Sequence, residues 1–386
     1  MRVCFVFLLL LCSATVQAAT AIPAPPQLSA KAYVLMDAKT GEVLVEHNAD
    51  LPLPPASLTK MMTSYVLAGE LAAGRVKPDD QVIVSENAWS QNPLFKGSSL
   101  MWIEPGKPVT LDELHRGIVI ASGNDATVAV AEHIAGSESV FADMMNRQAR
   151  ELGMHDTWYV NSHGLPDPQH VTTARDLATL SRAIILDYPK DYALYKVRDF
   201  TYNGIRQYNR NSLLAQDGSV DGLKTGHTEE AGYCLVASAK RRDMRLISVV
   251  MGTDSKRARA AESRSLLNYG FRFYESVDVE EADKPLASVK VWKGAQDEVQ
   301  VALAEPLQMV VPRGQKKKLK QESVLLADVQ APIRAGQELG TLKVMLNGKV
   351  MAEEPLVATQ EVAEGGLFKR LWHSLWLLIL SFFQSE

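Results

Sequence analysis

Ser57 and Lys60, three residues apart, are the pair in this chain best suited to do chemistry. A serine hydroxyl is a poor nucleophile until a neighbouring base takes its proton. A lysine withdrawn from water has a lowered pKa and can be that base. Pro54 and Pro55 are expected to hold the chain extended, with Ser57 to Leu67 forming a helix after them. Ser57 then sits in the first turn and Lys60 on the same face. The start of a helix adds free N–H groups and a positive dipole end, both suited to a developing oxyanion.

A lone Ser-x-x-Lys arises about once by chance in a chain of average composition. Taken alone, it reads as a surface helix with a capping serine and a solvated lysine. Two further stretches change that. Ser122-Gly123-Asn124 and Lys224-Thr225-Gly226 follow in the order and rough spacing seen in penicillin-interacting serine enzymes, so the chain resembles them in all three signatures. Ser85-Glu86-Asn87 also fits S-x-N, but it follows a strand and reads as a cap. Ser122 to Asn124 instead lies between a helical pattern (Leu111, Leu114, Ile118) and a helix over 125–134, a loop able to hold two polar side chains in a cleft.

The positioning elements follow from pattern. Ala32–Asp37 and Glu42–Glu46 read as a hairpin, and Val220–Gly226 as a strand whose Gly226 lets a ligand backbone lie close. Gly232–Ala239 and Met244–Met251 form a second hairpin, and a helix from about Arg257 to Tyr269 closes the domain. Arg257 and Arg259 on it would ordinarily be solvated. His163 reads as a residue that holds its loop, and Asp176 as a cap or ion-pair partner. After Glu275 helical periodicity is lost, and 276–362 reads as a small all-β domain.

With 386 residues, two domains plus non-globular segments are expected. The net charge of −4 points to no nucleic-acid partner. A basic start, an apolar run and Val16-Gln17-Ala18 make 1–18 a secretory signal peptide, with Ala21 a second cleavage option. Cys4 and Cys12 leave with it, and Cys234 reads as a core residue. His47, His115, His133, His155 and His163 show no paired ligand spacing, so neither metal nor cofactor is expected.

The chain closes on Gly365-Gly366, read as a hinge, and an apolar run of roughly 13 residues beyond Arg370. At ~1.5 Å per residue this spans ~20 Å, short of a ~30 Å hydrocarbon core. Lys369, Arg370, Trp372 and Trp376 suit a helix over 365–386 that lies in a membrane interface. Docking onto the β domain is the alternative that the hinge argues against.

Nearly the whole chain is similar to low-molecular-mass penicillin-binding proteins of the D-alanyl-D-alanine carboxypeptidase type. Pro54 to Lys60, Lys224 to Thr228 and Gly270 to Glu275 sharpen the resemblance. It implies an α+β fold, an antiparallel sheet flanked by helices, in a peptidase domain over 28–275. It implies Ser57 as acylated nucleophile, Lys60 as base, Ser122 as proton relay and Asn124 as a binder of the peptide amide. Lys224 and Thr225 would meet the substrate carboxylate, supported by Arg259. The N–H groups of Ser57 and His227 would form the oxyanion hole.

The implied substrates are peptidoglycan stem peptides ending in D-Ala-D-Ala, with β-lactams as inhibitors. The implied location is the periplasmic side of the cytoplasmic membrane. An endopeptidase acting on cross-links needs the same groups. A serine β-lactamase shares the signatures, but Gly123 stands where class A enzymes have Asp, and Asn161 to Asp167 offers no Glu.

Overall fold

The computed structural model describes residues 22–383, so the signal segment lies outside the described residues. Strands Ala32–Asp37, Val43–His47, Val220–Thr228, Gly232–Arg241 and Met244–Thr253 build one antiparallel sheet. The Met244–Thr253 strand lies at its centre, and Val220–Thr228 forms one edge. The central strand is apolar on both faces because helices cover both. Ile247, Val249 and Met251 join a core with Met62, Leu177 and Ile184, while Leu246 and Val250 pack with Leu266 and Leu267. The covering helices are Lys60–Ala72, Ala174–Asp187 and Lys256–Phe273.

A helical lobe completes the peptidase domain. Thr110 and Glu113 form a capping box that starts the helix Leu111–Arg116. A π-turn over Gly117–Ala121 carries the chain to Ser122, whose left-handed φ of 63° ends it before the helix Asn124–Ala135 begins. The S-G-N loop thus lies between two buried helices.

The second domain is all β. A five-stranded sheet combines Ala287–Lys290, Glu298–Leu303, Leu319–Leu325, Glu338–Leu346 and Lys349–Ala358. A second pair, Tyr274–Glu280 with Leu307–Pro312, packs beside it.

The C-terminal helix Leu367–Phe383 departs from the expected free hinge. The Gly365 N–H donates to the Lys293 carbonyl (2.8 Å), and a Cβ on Gly365 would meet the Gly294 carbonyl. Lys369 pairs with Asp297 at 2.9 Å, and His373 Nδ1 accepts from the Lys293 N–H at 2.8 Å with its ring edge-on to Trp292. The first half of the helix therefore docks on the β domain through its polar side. Phe368, Leu371, Trp372, Leu375 and Trp376 stay exposed. No helix among the described residues is long and apolar enough to cross a membrane.

Candidate active site

The nucleophile turn is tighter than expected. Pro55 is helical in backbone rather than extended, and Ala56–Thr59 forms a 3-10 turn that places Ser57 just ahead of the α-helix and Lys60 at its first residue. Ala56 adopts a φ of 48°, a strained conformation for a residue with a Cβ. Its carbonyl accepts from Thr59 Oγ1 (2.8 Å), and that oxygen also meets His170 Nε2 at 2.8 Å. Because His170 Nδ1 accepts from the Val160 N–H, Nε2 carries the proton and donates. Burial lowers the His170 pKa to about 4, which keeps that tautomer neutral. Gly164, at φ 87°, lies against this turn, where any Cβ would run into the Ala56 carbonyl.

Lys60 is 1% exposed. Its Nζ lies 2.5 Å from Asn124 Oδ1, 2.6 Å from the His163 carbonyl and 3.2 Å from Ser57 Oγ. Burial lowers its pKa to about 7, with Asp125 opposing the shift. A neutral amine has two N–H donors and one lone pair. The two short contacts, to Asn124 and His163, occupy the donors. The lone pair is then left for the Ser57 hydroxyl.

Lys224 Nζ donates to Ser122 Oγ (2.9 Å) and to the Thr225 carbonyl (3.1 Å). Burial, and then Lys60, push its pKa well down. Lys224 is 3% exposed, so its amine sits behind Ser122 rather than at the cleft surface. Asn124 holds Lys60 with its oxygen and Ser98 Oγ with its nitrogen (2.8 Å).

A cleft of about 420 Å³ is lined by Ser57, Ser122, Asn124, Thr225, Gly226, His227 and Arg259. Gly226 is needed at the edge strand for a reason the sequence reading did not give. A Cβ there would meet the Pro55 carbonyl at 2.9 Å, so the strand closes on the nucleophile turn. Arg259 is no surface charge. It is 6% exposed and donates to the Gly226 carbonyl at 3.0 Å. His227 is exposed and stacks on Tyr233 with ring centroids 3.9 Å apart.

Further lining residues carried no motif: Ser98, Ser99, Leu165, Arg210 and Lys256. Arg210 Nε donates to the Ala121 carbonyl (3.1 Å) and reaches the site from a loop beside the hairpin Asp199–Tyr208. His163 does hold its loop, its Nδ1 accepting from the Leu165 N–H at 3.0 Å. Asp176 is neither cap nor ion-pair partner: it accepts from Thr157 Oγ1 (2.6 Å), while Thr173 caps the helix. A glutamate does approach the loop from another element, but Glu138 Oε1 is taken by the Ser162 N–H and hydroxyl, and it does not line the cleft.

These groups bring a serine hydroxyl, two buried lysines and a second serine together at one cleft. Residues 18–255 match the family model described as D-alanyl-D-alanine carboxypeptidase, and 274–364 that of the penicillin-binding protein 5 C-terminal domain. D-alanyl-D-alanine carboxypeptidase DacA of Escherichia coli is 45% identical over 372 residues, 94% of this chain and 92% of its own. The crystal structure of penicillin-binding protein 5 from Haemophilus influenzae is 41% identical with a TM-score of 0.86, covering 89% of this chain and 100% of that one. Penicillin-binding protein D2 from Listeria monocytogenes, solved with ampicillin bound, is 29% identical with a TM-score of 0.57 over 64% of this chain and 100% of its own. The chain belongs to the serine-type D-alanyl-D-alanine carboxypeptidase family of penicillin-binding proteins.

Proposed function

We propose that Ser57 is the residue acylated when this enzyme removes the terminal D-alanine from a peptidoglycan pentapeptide. The observation that carries this is Lys60, a buried amine with both donors engaged and its remaining valence facing Ser57 Oγ at 3.2 Å. Neutral Lys60 takes the Ser57 proton as Oγ attacks the carbonyl of the penultimate residue. The N–H groups of Ser57 and His227 receive the oxyanion. Ser122 passes a proton to the leaving D-alanine nitrogen as the C–N bond breaks and is reprotonated from Lys60, with the Lys224 amine beside it. Water then hydrolyses the Ser57 ester.

Thr225 and Arg259, with Lys256 and Arg210 at the mouth, supply hydroxyl and positive charge for the terminal carboxylate. β-Lactams acylate the same serine in this reading, which the ampicillin-bound Listeria relative supports. Release of that adduct is slow, because the Glu138 carboxylate is committed to Ser162 and is not free to activate water.

The test is labelled-penicillin uptake by wild type and Ser57→Ala, with product analysis on pentapeptide and on a cross-linked dimer. Wild type should label and release D-alanine from the pentapeptide, and Ser57→Ala should do neither. Labelling of the folded variant defeats the assignment. Faster cleavage of the dimer would make the enzyme an endopeptidase, and rapid turnover of penicillin would make it a lactamase.

We place the enzyme on the periplasmic face of the cytoplasmic membrane, held by the exposed apolar side of the helix Leu367–Phe383. Removing everything after Ala363 should release a soluble protein with unchanged penicillin binding. A variant that stays on the membrane overturns this placement.

A further inference from the structure

Leu100, Met101, Trp102 and Ile103 are four consecutive large apolar residues, and three of them are 8%, 0% and 0% exposed. Trp102 alone is turned out, at 43%. The turn is made by its backbone: Trp102 has a φ of 75°, a region that bulky residues almost never occupy. Such a conformation costs about 1–3 kcal/mol and persists only where surrounding bonds over-determine it. Here the buried Asp125 carboxylate accepts from the N–H groups of Met101 (2.8 Å), Trp102 (2.8 Å) and Ile103 (3.2 Å). From the other side Gln207 Nε2 donates to the Leu100 carbonyl (2.9 Å). The fold thus carries a strained, four-bond clamp whose outcome is an indole in solvent. Among the described residues no ring or cation packs on that indole.

The clamp belongs to the cleft wall. Asp125 follows Asn124, whose own N–H donates to the Ser99 carbonyl (2.8 Å), and Ser99 lines the cleft. Trp102 is three positions beyond Ser99, so their Cα atoms are at most about 11 Å apart. Ile205, 40% exposed, shares a strand face with Gln207 and so adds apolar surface toward the same segment.

We infer that Trp102 is a sugar-stacking subsite, taking the pyranose ring of the glycan that carries the stem peptide. This rests on the carboxypeptidase reading, because the stem is what brings a sugar to this distance. Four residues upstream of the scissile bond span at most about 14 Å, and the indole is carried within about 11 Å of the cleft-lining Ser99 by Cα distance. A pyranose offers a face of C–H groups to an aromatic ring, and its hydroxyls stay in water. An exposed indole on a fixed backbone fits that ligand.

The experiment compares kcat/KM for a disaccharide-pentapeptide and for the same pentapeptide without sugar, in wild type, Trp102→Ala and Trp102→Phe. Trp102→Ala should lose about five- to tenfold on the disaccharide substrate, through KM, and be unchanged on the bare peptide. Trp102→Phe should restore most of the loss, and all three should acylate with penicillin at the same rate. Equal losses on both substrates would make Trp102 a plain support of the cleft wall and overturn the inference, as would no loss on either. Failure of wild type to release D-alanine from either substrate would instead sink the carboxypeptidase reading.

Discussion

Lys224 Nζ lies 2.9 Å from Ser122 Oγ, with Lys224 only 3% exposed. The lysine of the third signature is therefore aimed at the serine of the second. Leaving a buried hydroxyl without this partner costs ~1–3 kcal/mol, so Lys224→Ala should lower kcat/KM about 5–100-fold. Acting through Ser122, it should cost the same on a substrate with a free terminal carboxylate and on its amide. Arg259→Ala should instead hurt the acid far more than the amide. An acid-selective loss in the Lys224 variant would return the carboxylate contact to Lys224 itself.

The acylation rate should rise with pH through about 7, as Lys60 loses its proton and becomes a base. Stability carries the same signature. The folded pKa lies near 7 against a usual 10.5, so between these values the unfolded chain holds more protons and stability increases with pH. Below 7 both states are charged, and the cost of burying the ammonium is fully present. Relative to Lys60→Met, wild type should gain in melting temperature from pH 6.5 to 9.5; a flat difference would place the Lys60 pKa elsewhere.

Gly164→Ala combines a left-handed φ with a collision at the Ala56 carbonyl, and should cost about 3 kcal/mol along with most penicillin uptake. Gly74 also has a positive φ, 68°, but nothing lies within 4 Å of its added Cβ. Gly74→Ala should cost about 1 kcal/mol and leave acylation alone. Urea titrations of the two variants check the contrast.

Lys369→Ala with His373→Ala should leave vesicle binding in place while raising hydrogen exchange at the Lys293 amide, the donor to His373. Unchanged exchange would mean that the helix is not held by these side chains.

The closeness of Ser57 and Lys60 was legible because they are three residues apart on one tight turn, although His170, Asn124 and the His163 carbonyl that hold the turn and the amine were not. The sheet and its covering helices were legible from apolar runs. Arg259 was not, since helical spacing alone does not tell a solvated arginine from one that a strand edge covers. Ser98, Ser99 and Arg210 come from irregular segments without periodicity, and only long-range bonds bring them in. In the β domain, Leu319–Leu325 escaped notice because it is mostly exposed and rich in polar residues, so no alternation marks it. The two glycines near the C-terminus suggested freedom, yet the space beside Gly365 is filled by the Gly294 carbonyl. Glycine was required there for close approach.

That close approach makes the β domain a bracket, and the tail is not a leash. A tethered enzyme samples a hemisphere of positions set by linker length. On the membrane placement proposed above, a helix held to the second domain at Lys369 and His373 would give the enzyme a fixed stand-off and a fixed heading. Height in the wall would then select among stem peptides of identical chemistry.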